Sequence, residues 1–108
     1  MSTATHRYDP AAFREVLEGH FTYAAGVERN AHRYARRPAL HDPATERRWT
    51  YAELWRDAGR LAAALADAGV GRGDVVMLQL LNGAEFALAY VACHRLGAVC
   101  APRRWQAT

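Results

Sequence analysis

The residue types that could carry out chemistry are few in this sequence. It contains no Lys, so all fourteen of its permanently basic side chains are Arg. Schiff-base chemistry and a phosphate-loop Lys are therefore excluded within these 108 residues. Ser2 is the only Ser, which also excludes a Ser nucleophile held inside a fold.

The five His and two Cys residues do not have the spacing of a metal site. No His lies at ligand spacing from another His or a Cys, and the neighbours Cys93 and His94 would point to different sides of a helix. Cys93 and Cys100 fall in apolar segments, which predicts buried, reduced thiols. A nucleophilic Cys100 is disfavoured, because a central strand is a poor site for one and no general base accompanies it.

Two segments invite comparison with phosphate-binding loops. The stretch "GVGRGD" from Gly69 is Gly-rich, but it follows a helix and precedes a strand, the reverse of the order that aims helix amides at a phosphate. The stretch "LLNGAEF" has the right order, but Asn82 can cap the helix itself and Glu85 adds negative charge. The sequence therefore predicts no catalytic, cofactor-binding or metal-binding residue.

Basic residues cluster twice, at His32–Arg37 and at Arg103–Trp105. Basic side chains with an aromatic neighbour can bind nucleic acid. The net charge is only +3 and acidic residues are interspersed, so we interpret the first cluster as a solvated helix face. The second falls on a tail that we expect to fray. We expect no nucleic-acid partner.

The elements that must position these residues begin with two helices. Asp9 and Pro10 predict an N-cap and a first helical residue, and we expect Gly19 to break this first helix. A second helical pattern includes Ala24 to Tyr34 and must end before Pro38.

A hairpin and a long helix come next. The segments "ALHD" and "RRWTY" predict two short strands around the turn "PATE". Thr50 and Glu53 form a capping-box pattern that opens an amphipathic helix, and Gly69 ends it.

The last third of the chain has the pattern of a βαβ unit. The run "VVMLQLL" predicts a strand buried on both faces, residues Gly83–Leu96 a helix that is apolar on nearly every side, and "AVCAP" a parallel strand. A helix of that kind belongs inside a larger body. Two strands alone would leave open edges, so we expect part of the sheet to be missing.

Length and composition limit the class of protein that this sequence can encode. The length fits one domain at most, and the composition, 51% hydrophobic and 23% charged, is globular. There is no signal-peptide pattern, and the longest apolar run, Phe86–Cys93, is too short for a membrane span. We expect a cytoplasmic protein.

The sequence resembles the beginning of an AMP-forming acyl-CoA synthetase of the adenylate-forming superfamily. The motifs that carry this resemblance are "WTYAEL", "GVGRGDVV", an Asn before "EF", and "RLGAV" leading to a Pro. The match runs from about Arg37 to Pro102, with weaker similarity back to Phe21.

The resemblance implies an α/β fold, namely the N-terminal portion of the adenylate-forming enzyme fold. In the full-length family it implies a ligase that uses ATP, Mg²⁺ and coenzyme A to make an acyl-adenylate and then an acyl-CoA thioester, with a role in fatty acid metabolism. The family's phosphate loop, its adenine, metal and ribose residues and its C-terminal Lys have no counterpart here, so no residue inherits a catalytic role.

We therefore expect a truncated piece of such a ligase, ended early by a frameshift, a gene break or a misplaced stop. Residues 1–20 are predicted to be a leader and short helix, residues 21–102 a partial N-terminal domain, and residues 103–108 a tail foreign to the family. We expect the piece to be inactive alone, with the missing remainder as its partner. Two alternatives stay open: one part of a split synthetase, or a non-catalytic α/β interaction module.

Overall fold

The structure, a computed structural model, describes residues 9–79 and 83–102. In chain order its elements are α1 (Pro10–His20), α2 (Tyr23–Arg33), β1 (Pro38–Asp42), β2 (Arg47–Thr50), α3 (Tyr51–Asp67), β3 (Val75–Leu78), α4 (Ala84–Leu96) and β4 (Val99–Pro102). The predicted α/β class, with N-terminal helices, a hairpin and one βαβ unit, is confirmed.

Helix α1 begins as its sequence predicts but ends later. The Asp9 side chain accepts a hydrogen bond from the backbone N–H of Ala11 at 3.0 Å, and Pro10 follows this N-cap. The expected break at Gly19 is wrong, because α1 continues to His20 and the N–H of Phe21 still donates to the carbonyl of Leu17 at 3.0 Å. A single Gly lowers helix stability by about 1 kcal/mol without ending the helix.

The capping box at the start of α3 is confirmed. The backbone N–H of Glu53 donates to the Thr50 hydroxyl at 3.2 Å, and the N–H of Thr50 donates to the Glu53 carboxylate at 2.9 Å. Two of the backbone donors that every helix start leaves unpaired are thereby satisfied. Ala58 and Ala62 are the buried residues of α3, as expected for the apolar side of an amphipathic helix.

The two pairs of strands form two separate sheets in the described part of the chain. Strands β1 and β2 pair antiparallel, with Leu40 opposite Trp49. Strands β3 and β4 pair parallel, with Val75 opposite Val99, and α4 connects them. Gly97 ends α4 in the left-handed conformation, at φ 70°, which favours Gly because it has no Cβ.

The core lies where α3 packs against α4, with α2 alongside both. It is built of small side chains: among the described residues, Cys93 is the largest side chain that is fully buried. The Cα radius of gyration is 17.5 Å, whereas a compact domain of this length has roughly 13 Å. Large apolar side chains such as Val75 and Met77 stay exposed, so the described residues leave apolar surface uncovered.

Candidate functional site

The Gly-rich segment from Gly69 to Asp74 connects α3 to β3 and uses its amides internally. The N–H of Gly71 donates to the Asp74 carboxylate at 2.7 Å, and the N–H of Gly73 donates to the carbonyl of Gly97 at 2.9 Å. A phosphate cradle needs such N–H groups to point at a ligand. The amides of Gly71 and Gly73 are instead engaged within the chain.

The start of α4 has an acidic side chain of its own in the first turn. Gly83 is the N-cap and makes no side-chain cap hydrogen bond, while the predicted cap Asn82 lies outside the described residues. The Glu85 carboxylate pairs with the guanidinium of Arg47 on β2, which also lies 3.6 Å from the Asp42 carboxylate. The hydrogen bond from Arg47 holds the pKa of Glu85 below its usual range. The first turn of α4 therefore already carries a paired negative charge.

A second charged network ties the hairpin to α3. Trp49 Nε1 donates to Asp57 Oδ2 at 3.0 Å, and Arg56 Nε donates to Asp57 Oδ1 at 3.0 Å. These hydrogen bonds, the one from Arg56 foremost, lower the pKa of Asp57. An ionised carboxylate with both oxygens engaged holds two elements together, and it is a poor proton acceptor.

The His side chains that the structure describes at positions 41 and 94 have separate partners. His41 Nε2 is 3.5 Å from a Glu46 carboxylate oxygen. His94 Nδ1 lies 2.8 Å from the carbonyl of Tyr90, and its ring packs against that of Tyr23 with centroids 4.6 Å apart. His6 and the side chain of His20 lie outside the described residues. Within the described ranges, no three His, Cys, Asp or Glu side chains come together as a metal site.

Both cysteines are free thiols, Cys93 buried and Cys100 half-buried. Burial raises the pKa of the Cys93 thiol, and the neighbouring Cys100 thiol adds to this effect. A raised pKa means that little thiolate forms at neutral pH, so Cys93 has the character of a core residue.

The first basic cluster, His32–Arg37, is a surface feature. Its Arg side chains are exposed, and the Arg37 guanidinium lies 5.1 Å from the centre of the Tyr34 ring. The second cluster, Arg103–Trp105, lies outside the described residues.

Two open apolar cavities mark places where packing is incomplete. The first, of about 350 Å³, lies between α2, the hairpin, α3 and α4. Its lining is Tyr23, Ala39, Leu40, Leu54, Phe86, Ala87, Tyr90 and Val91. The second, of about 330 Å³, lies between α3, β3 and α4, and Glu85 is the one charged residue in its lining.

The strongest candidate for function is one face of the parallel strand pair. Val75, Met77 and Val99, here called the outer sheet face, are 67%, 62% and 52% exposed. The opposite face, which includes Leu78, turns towards α4. Burial of β3 on both faces, as predicted, is thus wrong within this chain, because the described residues supply cover on one side only. A continuous apolar run has no alternation from which the exposed face could have been found.

No helix in the described ranges is both long enough and apolar enough to cross a membrane.

Comparison with known proteins gives consistent matches. The family model of AMP-binding enzymes matches residues 27–108. Pyochelin synthase PchD of Pseudomonas aeruginosa is 41% identical over 93 residues, which cover 82% of this chain and 17% of that protein. 4-Coumarate–CoA ligase 3 of Oryza sativa subsp. japonica is 48% identical over 62 residues, which cover 57% of this chain and 11% of that protein.

Solved structures match in the same way. A fatty acyl CoA synthetase of Mycobacterium tuberculosis superposes with a TM-score of 0.73 at 32% identity, over 76% of this chain and 16% of that one. The N-terminal subdomain of NpsA from Klebsiella oxytoca superposes with a TM-score of 0.75 at 25% identity, over 81% of this chain and 22% of that one. The chain thus spans under a quarter of the length of each of these relatives.

Proposed function

Since the chain belongs to the AMP-binding enzyme family and has the fold of the N-terminal part of the adenylate-forming enzymes, we propose that it supplies the first segment of an ATP-dependent carboxylic acid–CoA ligase and is inactive alone. In this proposal residues 21–102 are a partial N-terminal domain, residues 1–20 are a leader and short helix, and residues 103–108 are a tail.

The observation that carries the proposal is the outer sheet face. Parallel sheets are covered on both faces in α/β proteins, yet Val75, Met77 and Val99 are more than half exposed. In the described part of the chain, β3 and β4 also each pair with one strand only. Further strands and a second layer of helices, which the rest of an N-terminal domain would provide, are the cover that this surface fits.

We propose that ATP, Mg²⁺ and coenzyme A bind outside the described residues. The N–H groups of Gly71 and Gly73 are engaged within the chain, and the first turn of α4 carries Glu85. We therefore assign the binding of all three to the remainder of the synthetase and derive no catalytic step from this segment.

Assay of the purified 108-residue chain for ATP–pyrophosphate exchange tests its inactivity. With short-chain, long-chain and aromatic carboxylic acids in turn, we expect no exchange above that of a heat-treated sample. Exchange that depends on one of the acids and on chain concentration would contradict the proposal.

A split synthetase is a second arrangement, and the exposed sheet face favours it equally, because the cover can come from a separate polypeptide. Affinity capture of the tagged chain from its own cells tests this arrangement. We expect co-purification of a protein that carries the family's Ser/Thr/Gly-rich phosphate loop. If the captured chain is alone, and the DNA beyond the Pro102 codon encodes such a loop in one of its three frames, the remainder is encoded next to this segment and a split synthetase is contradicted.

We extend the proposal to the cellular location of the protein and its metabolic role. Free thiols at Cys93 and Cys100 suit a reducing compartment, so we place the protein in the cytoplasm. Likeness to a fatty acyl CoA synthetase supports a role in fatty acid metabolism.

A further inference from the structure

The two thiols of this chain lie beside each other in the fold. Cys93 is near the end of α4 and Cys100 is on β4, and the two side chains are in hydrogen-bonding contact. The proposed enzyme function assigns no role to either residue. Two thiols in contact can share a covalent bond, whereas an isolated thiol cannot.

The path of the chain explains why these thiols meet. After Gly97 the chain turns back on α4, and the N–H of Ala98 donates to the carbonyl of Cys93 at 3.0 Å. Side chains on a strand alternate between its two faces. Because Val99 belongs to the outer sheet face, Cys100 lies on the face that is turned towards α4. The short connection therefore places both thiols between α4 and β4.

We propose that Cys93 and Cys100 form a reversible disulfide that fastens the end of α4 to β4 under oxidising conditions. In a reducing compartment the pair stays as two thiols, and a bond formed there is transient and responds to the redox state. The inference does not depend on the proposed enzyme function, because it concerns two thiols on the inner side of the strand pair.

Oxidised glutathione is a co-reactant that balances this step. The Cys100 thiolate attacks one sulfur of oxidised glutathione, whose S–S bond breaks, and the departing glutathione thiolate takes up the proton that Cys100 released. The Cys93 thiol then loses its proton, and its sulfur attacks the sulfur of Cys100 and expels the second glutathione thiolate, which takes up that proton. The protein thiols lose two electrons, and glutathione gains them.

Burial sets the order of the two attacks. Thiol–disulfide exchange requires access to the attacking thiol. Cys100 is half-buried, whereas Cys93 is 0% exposed. Cys100 therefore reacts first with glutathione, and Cys93 completes the bond from within the fold.

Equilibration of the whole reduced chain with mixtures of reduced and oxidised glutathione tests the proposal. Alkylation of the free thiols after an acid quench, followed by intact mass spectrometry, counts the thiols that remain. With oxidised glutathione in excess, we expect a monomer that is lighter by two hydrogen atoms and carries no alkyl group, and dithiothreitol should restore both thiols. Two free thiols, glutathione on both residues or a disulfide-linked dimer as the main species would overturn the proposal.

A matched control separates pairing by the fold from pairing by nearness in sequence. Cys100→Ala combined with Ala101→Cys moves the thiol by one residue, to the position opposite Met77, which is 62% exposed on the outer sheet face. The equilibrium constant for the internal disulfide should decrease about tenfold or more in this variant. In urea that unfolds both chains, the two constants should be similar. Similar constants for the folded chains would contradict the proposal.

Single substitutions test the order of attack. Cys93→Ala should accumulate glutathione on Cys100, whereas Cys100→Ala should keep an unreacted thiol as long as its helical circular dichroism signal shows that it is folded. Equally fast addition of glutathione to the two folded variants would show that burial does not set the order.

Discussion

At the scale of single residues, two side chains join elements that are distant in sequence. Trp49 on β2 is only 8% exposed, and its indole N–H donates to Asp57 on α3. Arg95 on α4 donates through Nη1 to the carbonyl of Trp55 at 2.8 Å, and its guanidinium lies 3.6 Å from the centre of the Trp55 ring. These two contacts attach the hairpin and α4 to the N-terminal half of α3.

Asp57 should make the stability of the chain pH-dependent. Its pKa in the folded chain lies below the unfolded value of about 3.9, so the ionised form stabilises the fold above that value. This contribution disappears as the pH falls through the lower folded pKa. The urea midpoint of the far-UV circular dichroism signal should therefore decrease between about pH 5 and pH 3, and Asp57→Asn should make the decrease shallower.

Asp57→Asn should remove only part of the pH dependence of stability. Hydrogen bonds also lower the pKa values of Glu53 and Glu85, and these groups keep their own pH dependence. Asp67→Asn, at the end of α3, is the matched control. If the urea midpoint falls equally steeply with pH in the Asp57→Asn and Asp67→Asn variants, the hydrogen bonds of Asp57 do not make stability pH-dependent as described.

Arg95 should depend on its planar guanidinium and not on charge alone. Arg95→Lys keeps the charge but loses the stacking on Trp55, and we expect it to destabilise the fold by about 1 kcal/mol. Arg36→Lys, at an exposed position, should have no effect on the urea midpoint. Equal midpoints for the two variants would contradict a role for the stacking.

At the scale of elements, local sequence signals decide where helices begin and end. Asp9, Thr22 and Thr50 each accept a hydrogen bond from a backbone N–H in the first turn of a helix. Gly97 adopts positive φ immediately after α4, and a Cβ added there would lie 3.2 Å from Cγ of Arg72. Because these signals act within a few residues, they can be recognised in the sequence without knowledge of the fold.

Two Gly→Ala substitutions should change the free energy of unfolding in opposite directions. Gly97→Ala forces a side chain into the left-handed region and against Arg72, and should destabilise the chain by about 1–2 kcal/mol. Gly26→Ala lies within α2, where the added Cβ meets only ordinary contacts, and should stabilise it by up to about 1 kcal/mol. Urea titrations check both values. If Gly97→Ala leaves the urea midpoint unchanged, the left-handed conformation at the end of α4 does not require Gly.

At the scale of the whole molecule, the described residues form an α/β layer whose parallel strand pair is covered on one face only. Its core is made mainly of Ala, while large apolar side chains such as Val75 and Met77 stay exposed. Hydrophobic stabilisation grows with the apolar area removed from water, so a core of this kind contributes little. We expect the isolated chain to be marginally stable and prone to aggregation through its sheet.

Adjacent positions on β3 allow a direct test of the outer sheet face. Met77→Glu adds a charge where the side chain is 62% exposed, and should raise the concentration at which light scattering begins without loss of helical signal. Leu78→Glu adds the same charge where the side chain is 8% exposed, and should abolish the folded signal. Aggregation of Met77→Glu at the original concentration would show that another surface is responsible.

A thermal melt distinguishes a partial domain, as proposed, from a domain that folds independently. The unmodified chain should lose its signal over a broad range, with scattering. A sharp, reversible transition of a monomer would favour an independent α/β interaction module.

The sequence by itself determined the class of fold, the order of the elements, most of their ends and the family. Capping residues, turn residues and hydrophobic periodicity all act within one element, so their outcome does not depend on distant parts of the chain. The absence of Lys and the arrangement of "GVGRGD" between helix and strand were also enough to predict that this segment is a connection.

The tertiary structure alone decided which apolar residues are covered and which long-range pairs form. The run "VVML" is apolar at every position, and the placement of α4 on one side of the strand leaves Val75 and Met77 exposed. The pairing of Arg47 with Glu85 likewise joins residues 38 positions apart. Such features depend on how layers stack, and stacking is a property of the assembled elements that no local pattern encodes.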